Sequence, residues 1–263
     1  MTRMAIIAHG GAGANPDAAP NIQKAVDIGA ASLMSGSSAL ETAVLVCSKL
    51  EDDPLFNAGT GSVTRSDGSV LVDASVQTGD GRLGFVVSMP ETPNPVKVAA
   101  GLIDEDINGL AGVGARKWAD ERNYLRSPVV PRPTGKDGST DTVGVIVVDS
   151  DGNLALATST GGCSDRPAGR VGDVPLPGCG FWAGSGVAVA ATGIGEAITK
   201  QILSFRVHNT VTSGEKTMPD AFDEAIKNMF GPETEIGLIG INRDCETYAR
   251  ANTSMPWAKW SSA

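Results

Sequence analysis

Apolar positions along the chain change period several times. Met4–Ala8 is a short unbroken apolar run that ends at His9-Gly10-Gly11-Ala12-Gly13, as a buried strand does. Ile22, Val26, Ala30 and Leu33 then recur at helical spacing. Leu40, Val44, Cys47 and Leu50 follow on one face of a second helix, with Ser38 and Glu41 spaced as a capping box. The period then drops to that of strands at 62–65, 69–76 and 83–89. Asp67-Gly68 and Asp80-Gly81 between them are hairpin turn signals. Asn94-Pro95 predicts a helix start carrying Val96, Ala99 and Ile103, with Asn94 as its cap. A further helix is predicted over about 113–125.

Residues 126–140 have no apolar period and read as a loop or linker. Directly after it comes Thr142–Val148, then an Asp151-Gly152 turn and Leu154–Thr158, a hairpin apolar on both faces. Val187–Ala191 continues the strands. Helices are predicted near 195–205 and 219–230, the second aligning Phe222, Ile226 and Met229. A final hairpin spans 236–241 and 246–250. This order predicts an α+β fold: two antiparallel sheets stacked together, with helices outside both.

Composition narrows the chemistry. The chain has 263 residues, a net charge of −9 and 33 glycines. An acidic balance without basic runs argues against nucleic acid as a partner. No apolar run reaches the length of a membrane span. The opening apolar stretch is too short for a signal peptide, so the expected location is the cytoplasm. Four cysteines without a C-x-x-C pair argue against zinc or a disulfide framework. Only two histidines are present, His9 and His208. A hydrolase of this composition is expected to work without an imidazole base.

The junction at Asp141-Thr142, where linker meets doubly buried strand, admits two readings. One is an ordinary loop-to-strand transition. The other is a cleavage point that makes Thr142 a new N-terminus, whose α-amino group has a pKa of about 7.7–8.0 and can act as base for its own hydroxyl.

The neighbouring motifs favour the second reading. HGGAG at 9–13, LEDDPLFNAGTGS at 50–62, TVG at 142–144, TSTGG at 158–162, GRVGD at 169–173 and TGIGE at 192–196 occur in order. Together they resemble the plant-type asparaginase and isoaspartyl peptidase family of N-terminal-nucleophile threonine hydrolases. The resemblance runs from His9 to about Thr253 and implies a four-layer αββα sandwich of two mainly antiparallel sheets. It implies one domain cut by autoproteolysis into an α subunit, 1–141, and a β subunit, 142–263.

By position, the resemblance makes Thr142 the nucleophile and Thr160 its hydroxyl partner. Arg170 and Asp173 match the groups that hold a substrate's α-carboxylate and α-amino group, as guanidinium and carboxylate are suited to do. Thr192 and Gly193 match the oxyanion hole, and Asn57 a residue lining the site. Main-chain carbonyls of Leu50, Glu51, Asp53, Phe56, Ala58 and Thr60 match a structural sodium loop; no catalytic cofactor is implied. Two αβ units are expected to pair. The implied substrates are asparagine and β-aspartyl dipeptides. Asp141 stands where most bacterial and plant members have Gly, which keeps a glycosylasparaginase-like or taspase-like specificity open. An unprocessed binding protein is the remaining alternative.

Overall fold

The computed structural model describes residues 3–132, 142–184 and 186–262. Asp141 lies outside them.

The chain opens with β1 (Ala5–His9), a 3-10 turn at Pro16–Ala18, and helices α1 (Ala19–Met34) and α2 (Ala39–Asp52). Ser38 and Glu41 form the expected capping box: the Ser38 hydroxyl accepts from Glu41 N while the Ser38 amide donates to the Glu41 carboxylate. Strands β2 (Leu71–Thr78) and β3 (Leu83–Pro90) form the Asp80-Gly81 hairpin, with Gly81 at φ +95°. Then come α3 (Pro95–Gly101), β4 (Gly109–Ala111), α4 (Gly112–Glu121), β5 (Val143–Val148), β6 (Leu154–Thr160), β7 (Phe181–Gly184) and β8 (Val187–Gly193). Helices α5 (Gly195–Gln201), α6 (Leu203–Thr212) and α7 (Met218–Asn228) precede β9 (Ile236–Asn242), β10 (Thr247–Ala251) and β11 (Trp257–Ser261).

Two sheets result. One has the order β11-β1-β5-β6-β2-β3-β4, antiparallel except for the β3–β4 pair; the other, β10-β9-β8-β7, is antiparallel throughout. Alternation along the central strands shows why β1, β5, β6 and β8 are buried on both faces. In β5, Val143, Val145 and Val147 face a core shared with α1–α4, while Ile146 and Val148 meet Phe181, Ala188, Ala190, Ile239 and Ile241 of the smaller sheet. In β8, Val187, Val189 and Ala191 pack with Leu203, Val207, Phe222 and Ala225 of α6 and α7.

Several local expectations differ. Residues 62–65 are not a strand; the Asp67-Gly68 turn closes between Arg65 and Ser69 without a ladder. The 195–205 helix is two helices, broken at Ile202, which sits in the left-handed region at φ 48°. Helix α4 ends at Glu121 rather than Leu125. Asn94 does not cap α3 with its side chain; it donates instead to Asp52 and Glu51. The β9–β10 hairpin is not last, because β11 returns to pair with β1. Of the linker, the described part 126–132 is loop, held by Arg126 on Glu91 and Asp120, by Gly61 N on Val130 O and by Arg132 on Leu55 O.

Candidate active site

The antiparallel pairing of β5 with β6 sets Val143 opposite Ser159, so Thr142 and Thr160 leave the hairpin at the same end. Their hydroxyls meet: Thr142 Oγ1 donates to Thr160 Oγ1 at 3.2 Å. Thr160 Oγ1 also accepts from Gly162 N at 3.0 Å, so the turn after β6 holds the hydroxyl that touches Thr142. Asn57, fully buried, sits behind this turn. Its Nδ2 donates to Gly162 O at 2.6 Å and its Oδ1 accepts from Val63 N.

The same end receives β1 and β8. The amide of Ala12 donates to Thr192 Oγ1 at 3.1 Å, leaving the hydroxyl's own proton available to an incoming oxygen. Gly193 adopts φ +135°, and a Cβ there would overlap the carbonyl of Glu235; only glycine permits this backbone. Thr142, Thr160, Cys163, Arg170, Asp173 and Gly193 are among the residues lining one narrow cleft.

Charge in this cleft comes from the β6–β7 connection and the first turn of α5. Arg170 binds Glu196 in a bidentate fork, Nε to Oε1 at 3.0 Å and Nη2 to Oε2 at 2.9 Å. Asp173 is buried, and its Oδ2 has no hydrogen-bond partner among the described residues. Burial pushes the Asp173 carboxyl up to about 7, opposed by the nearby Arg170 cation. A buried carboxylate oxygen without a partner is costly, and a ligand ammonium is the group that would complete it.

Neither histidine is placed as a base. The wholly buried ring of His9 accepts from Gly11 N on Nδ1 at 3.1 Å, which puts the proton on Nε2. That nitrogen faces the Thr142 backbone without reaching a full hydrogen bond, and it packs against Gly144. Burial lowers the His9 pKa to about 3, so the ring is neutral. His208 lies against Trp182 and bonds Gly184 O.

The end of α2 and the loop after it carry the carbonyls expected of a sodium site. Those of Leu50, Glu51 and Asp53 accept from Asp53 N, Thr60 N and Phe56 N at 3.3, 2.8 and 3.1 Å. Those of Phe56, Ala58 and Thr60 take no backbone hydrogen bond among the described residues. Gly59, at φ +51°, brings the loop against Pro93 O and Glu51 O. Neutral carbonyl oxygens in a tight curl suit a hard alkali cation.

A larger cleft opens at the far end, beside the 79–82 turn and the start of α2. Its charged groups are already engaged: Glu41 with Ser38, Asp149 with Ala39 N and Asn153, Arg82 with Asp80 and Asp104.

The structure therefore brings Thr142, Thr160, Arg170, Asp173 and Gly193 to one cleft. It places Asn57 and Thr192 just behind the cleft and the carbonyl loop outside it. It also adds Glu196, Ala12 and the buried Arg65, to which the sequence reading assigned no separate part.

Comparison with known proteins places the chain in a family. The family model described as asparaginase matches residues 2–130 and 126–262. The chain belongs to the asparaginase family. A plant-type L-asparaginase of Pyrobaculum calidifontis is 36% identical over 249 residues, covering 84% of this chain and 82% of the relative. An isoaspartyl peptidase/L-asparaginase of Rattus norvegicus is 34% identical over 285 residues, covering 97% and 85%. The human protein of the same name is 33% identical, covering 96% and 92%.

Proposed function

We propose that this chain is a threonine amidohydrolase that releases aspartate from L-asparagine and β-aspartyl dipeptides after cutting itself before Thr142. The observation that carries the reading is the Thr142–Thr160 hydroxyl pair, facing a cleft that holds Arg170 and an unpartnered Asp173 oxygen. Three apolar layers, between α1–α4 and the large sheet, between the sheets, and between the small sheet and α6–α7, support the αββα sandwich of N-terminal-nucleophile hydrolases.

In self-cleavage the Thr142 hydroxyl attacks the carbonyl of residue 141. The peptide becomes an ester as the amide nitrogen leaves as the new α-amine, and water hydrolyses the ester. The mature site then repeats the chemistry on substrate. Arg170 takes the α-carboxylate and Asp173 the α-ammonium, placing the β-carbonyl at Thr142. The α-amine accepts the Thr142 proton as oxygen attacks, and Thr160 orients that oxygen. The Thr192 hydroxyl and Gly193 N–H stabilise the oxyanion. Collapse expels ammonia or an amino acid, protonated by the α-ammonium, and a water activated by the same amine releases aspartate. Asn57 holds the Gly162 peptide that fixes Thr160. A sodium ion at the 50–60 carbonyls would stiffen the loop that carries Asn57. The protein is read as cytoplasmic and as a pair of αβ units.

The test is aspartate release from asparagine, from β-Asp-Leu and from glycosylated asparagine, by wild type and Thr142→Ala. The reading expects activity on the first two substrates and none in the variant. A variant that still releases aspartate sinks it. Activity confined to glycosylated asparagine would assign the glycosylasparaginase-like specificity that Asp141 suggests.

A further inference from the structure

Arg65 is the largest of the fully buried side chains, a cation held 2% exposed in a segment without helix or strand. Burying a guanidinium is costly unless its donors are used. Nη2 donates to Leu71 O at 3.2 Å, at the start of β2, and Nη1 makes a long contact of 3.5 Å with Cys163 O. Gly162 lies directly on the guanidinium; a Cβ there would overlap Nη1, and Gly162 sits at φ +78°. The carboxylate of Asp73, on β2 directly across from Thr160, supplies the counter-charge. Backbone bonds from Ser66 N to Arg166 O and from Asp165 N to Thr64 O fasten the two loops on either side.

The connection to the chemistry is short. Gly162 N holds Thr160 Oγ1, and Thr160 Oγ1 holds Thr142 Oγ1. We infer that Arg65 is a positioning residue for the nucleophile: its buried fork clamps the Gly162–Cys163 backbone to β2 and thereby fixes Thr160 against Thr142. This rests on the hydrolase reading above. Arg65 touches no substrate. Its effect falls chiefly on kcat, because the Thr160–Thr142 contact serves bond-making, while Arg170 and Asp173 lie further along the β6–β7 connection, beyond the clamped Gly162–Cys163 backbone. A displacement of about 1 Å at such a contact costs on the order of 100-fold in rate.

The experiment compares wild type with Arg65→Gln, which loses the charge, and Arg65→Lys, which keeps the charge in the same buried space but loses the fork. Both are checked by circular dichroism and assayed for aspartate release from asparagine at 25 °C, with kcat and KM separated and self-cleavage followed by gel. The expected result is a fall in kcat of about tenfold or more in each folded variant, with KM within about threefold and slower self-cleavage. If Arg65→Gln does not fold, Arg65→Lys carries the test. A kcat within twofold of wild type in a folded variant, even with a lowered melting temperature, overturns the inference, as does a loss confined to KM. Wild type that releases no aspartate overturns the hydrolase reading and this inference with it.

Discussion

The most quantitative consequence of the site concerns Asp173. Its carboxyl is pushed up to about 7 by burial, so acidifying from pH 8 to pH 6 takes it from mostly ionised to mostly protonated. At a pKa of 7 the ionised fraction falls about tenfold over that interval, equivalent to about 1.4 kcal/mol. Only the carboxylate can accept the α-ammonium of a ligand. Affinity for L-aspartate, the product, is therefore expected to weaken about tenfold from pH 8 to pH 6. The α-amine of Thr142 titrates in the same region, with an ordinary pKa of about 7.7–8.0, and in the opposite sense for an anionic ligand. Asp173→Asn keeps that amine and loses the carboxylate, so the ratio of the two dissociation constants isolates Asp173. Calorimetric titration of processed wild type and Asp173→Asn across this range measures it. A ratio that stays flat between pH 6 and pH 8 refutes the placement of Asp173 at the ammonium.

Other expectations follow from the same contacts. Thr160→Val removes the hydroxyl that meets Thr142 and is expected to lower kcat at least about tenfold, read by steady-state aspartate release; an unchanged kcat contradicts it. Gly144→Ala would drive a methyl group into the buried His9 ring and is expected to cost about 1–3 kcal/mol, read as a lower thermal midpoint. Burial pushes the Glu51 carboxyl up to about 8, while unfolding returns it to about 4.3. The folded state thus holds this proton more tightly, and stability is lost as pH rises from about 4 through 8. In sodium-free buffer the fall in melting temperature between pH 5 and pH 8 is expected to be smaller in Glu51→Gln than in wild type; equal slopes refute it.

Long apolar periods were legible without coordinates. The α1 face, the β2–β3 hairpin and the doubly apolar β5–β6 hairpin all depend on spacing alone and lie close to where the pattern puts them. The buried face of α2 instead runs through Ala39, Ala43, Val46, Cys47 and Leu50 and leaves the expected Leu40 and Val44 only partly buried. What escaped depends on tertiary partners. β4 has three residues and β7 four, too few to show a period, and β11 is a strand because β1 offers an edge to it. The break between α5 and α6 rests on a left-handed Ile202, a conformation that a β-branched residue gives no sign of adopting. In the site, the motifs named Thr142, Thr160, Arg170 and Asp173 by resemblance, and composition alone set aside imidazole chemistry. Arg65 was invisible for a physical reason. An arginine closing an expected strand at 62–65 gives no sign of burial, and only the fold reveals that it lies beneath Gly162.

The central claim is that Thr142 becomes an N-terminal nucleophile. Intact mass and N-terminal sequencing of purified protein, assayed in parallel for aspartate release, test it most directly. The account predicts two chains, residues 1–141 and 142–263, with Thr142 first in the second, and a Thr142→Ala protein that stays at 26.9 kDa and is inactive. An uncut 263-residue chain that still releases aspartate would contradict it.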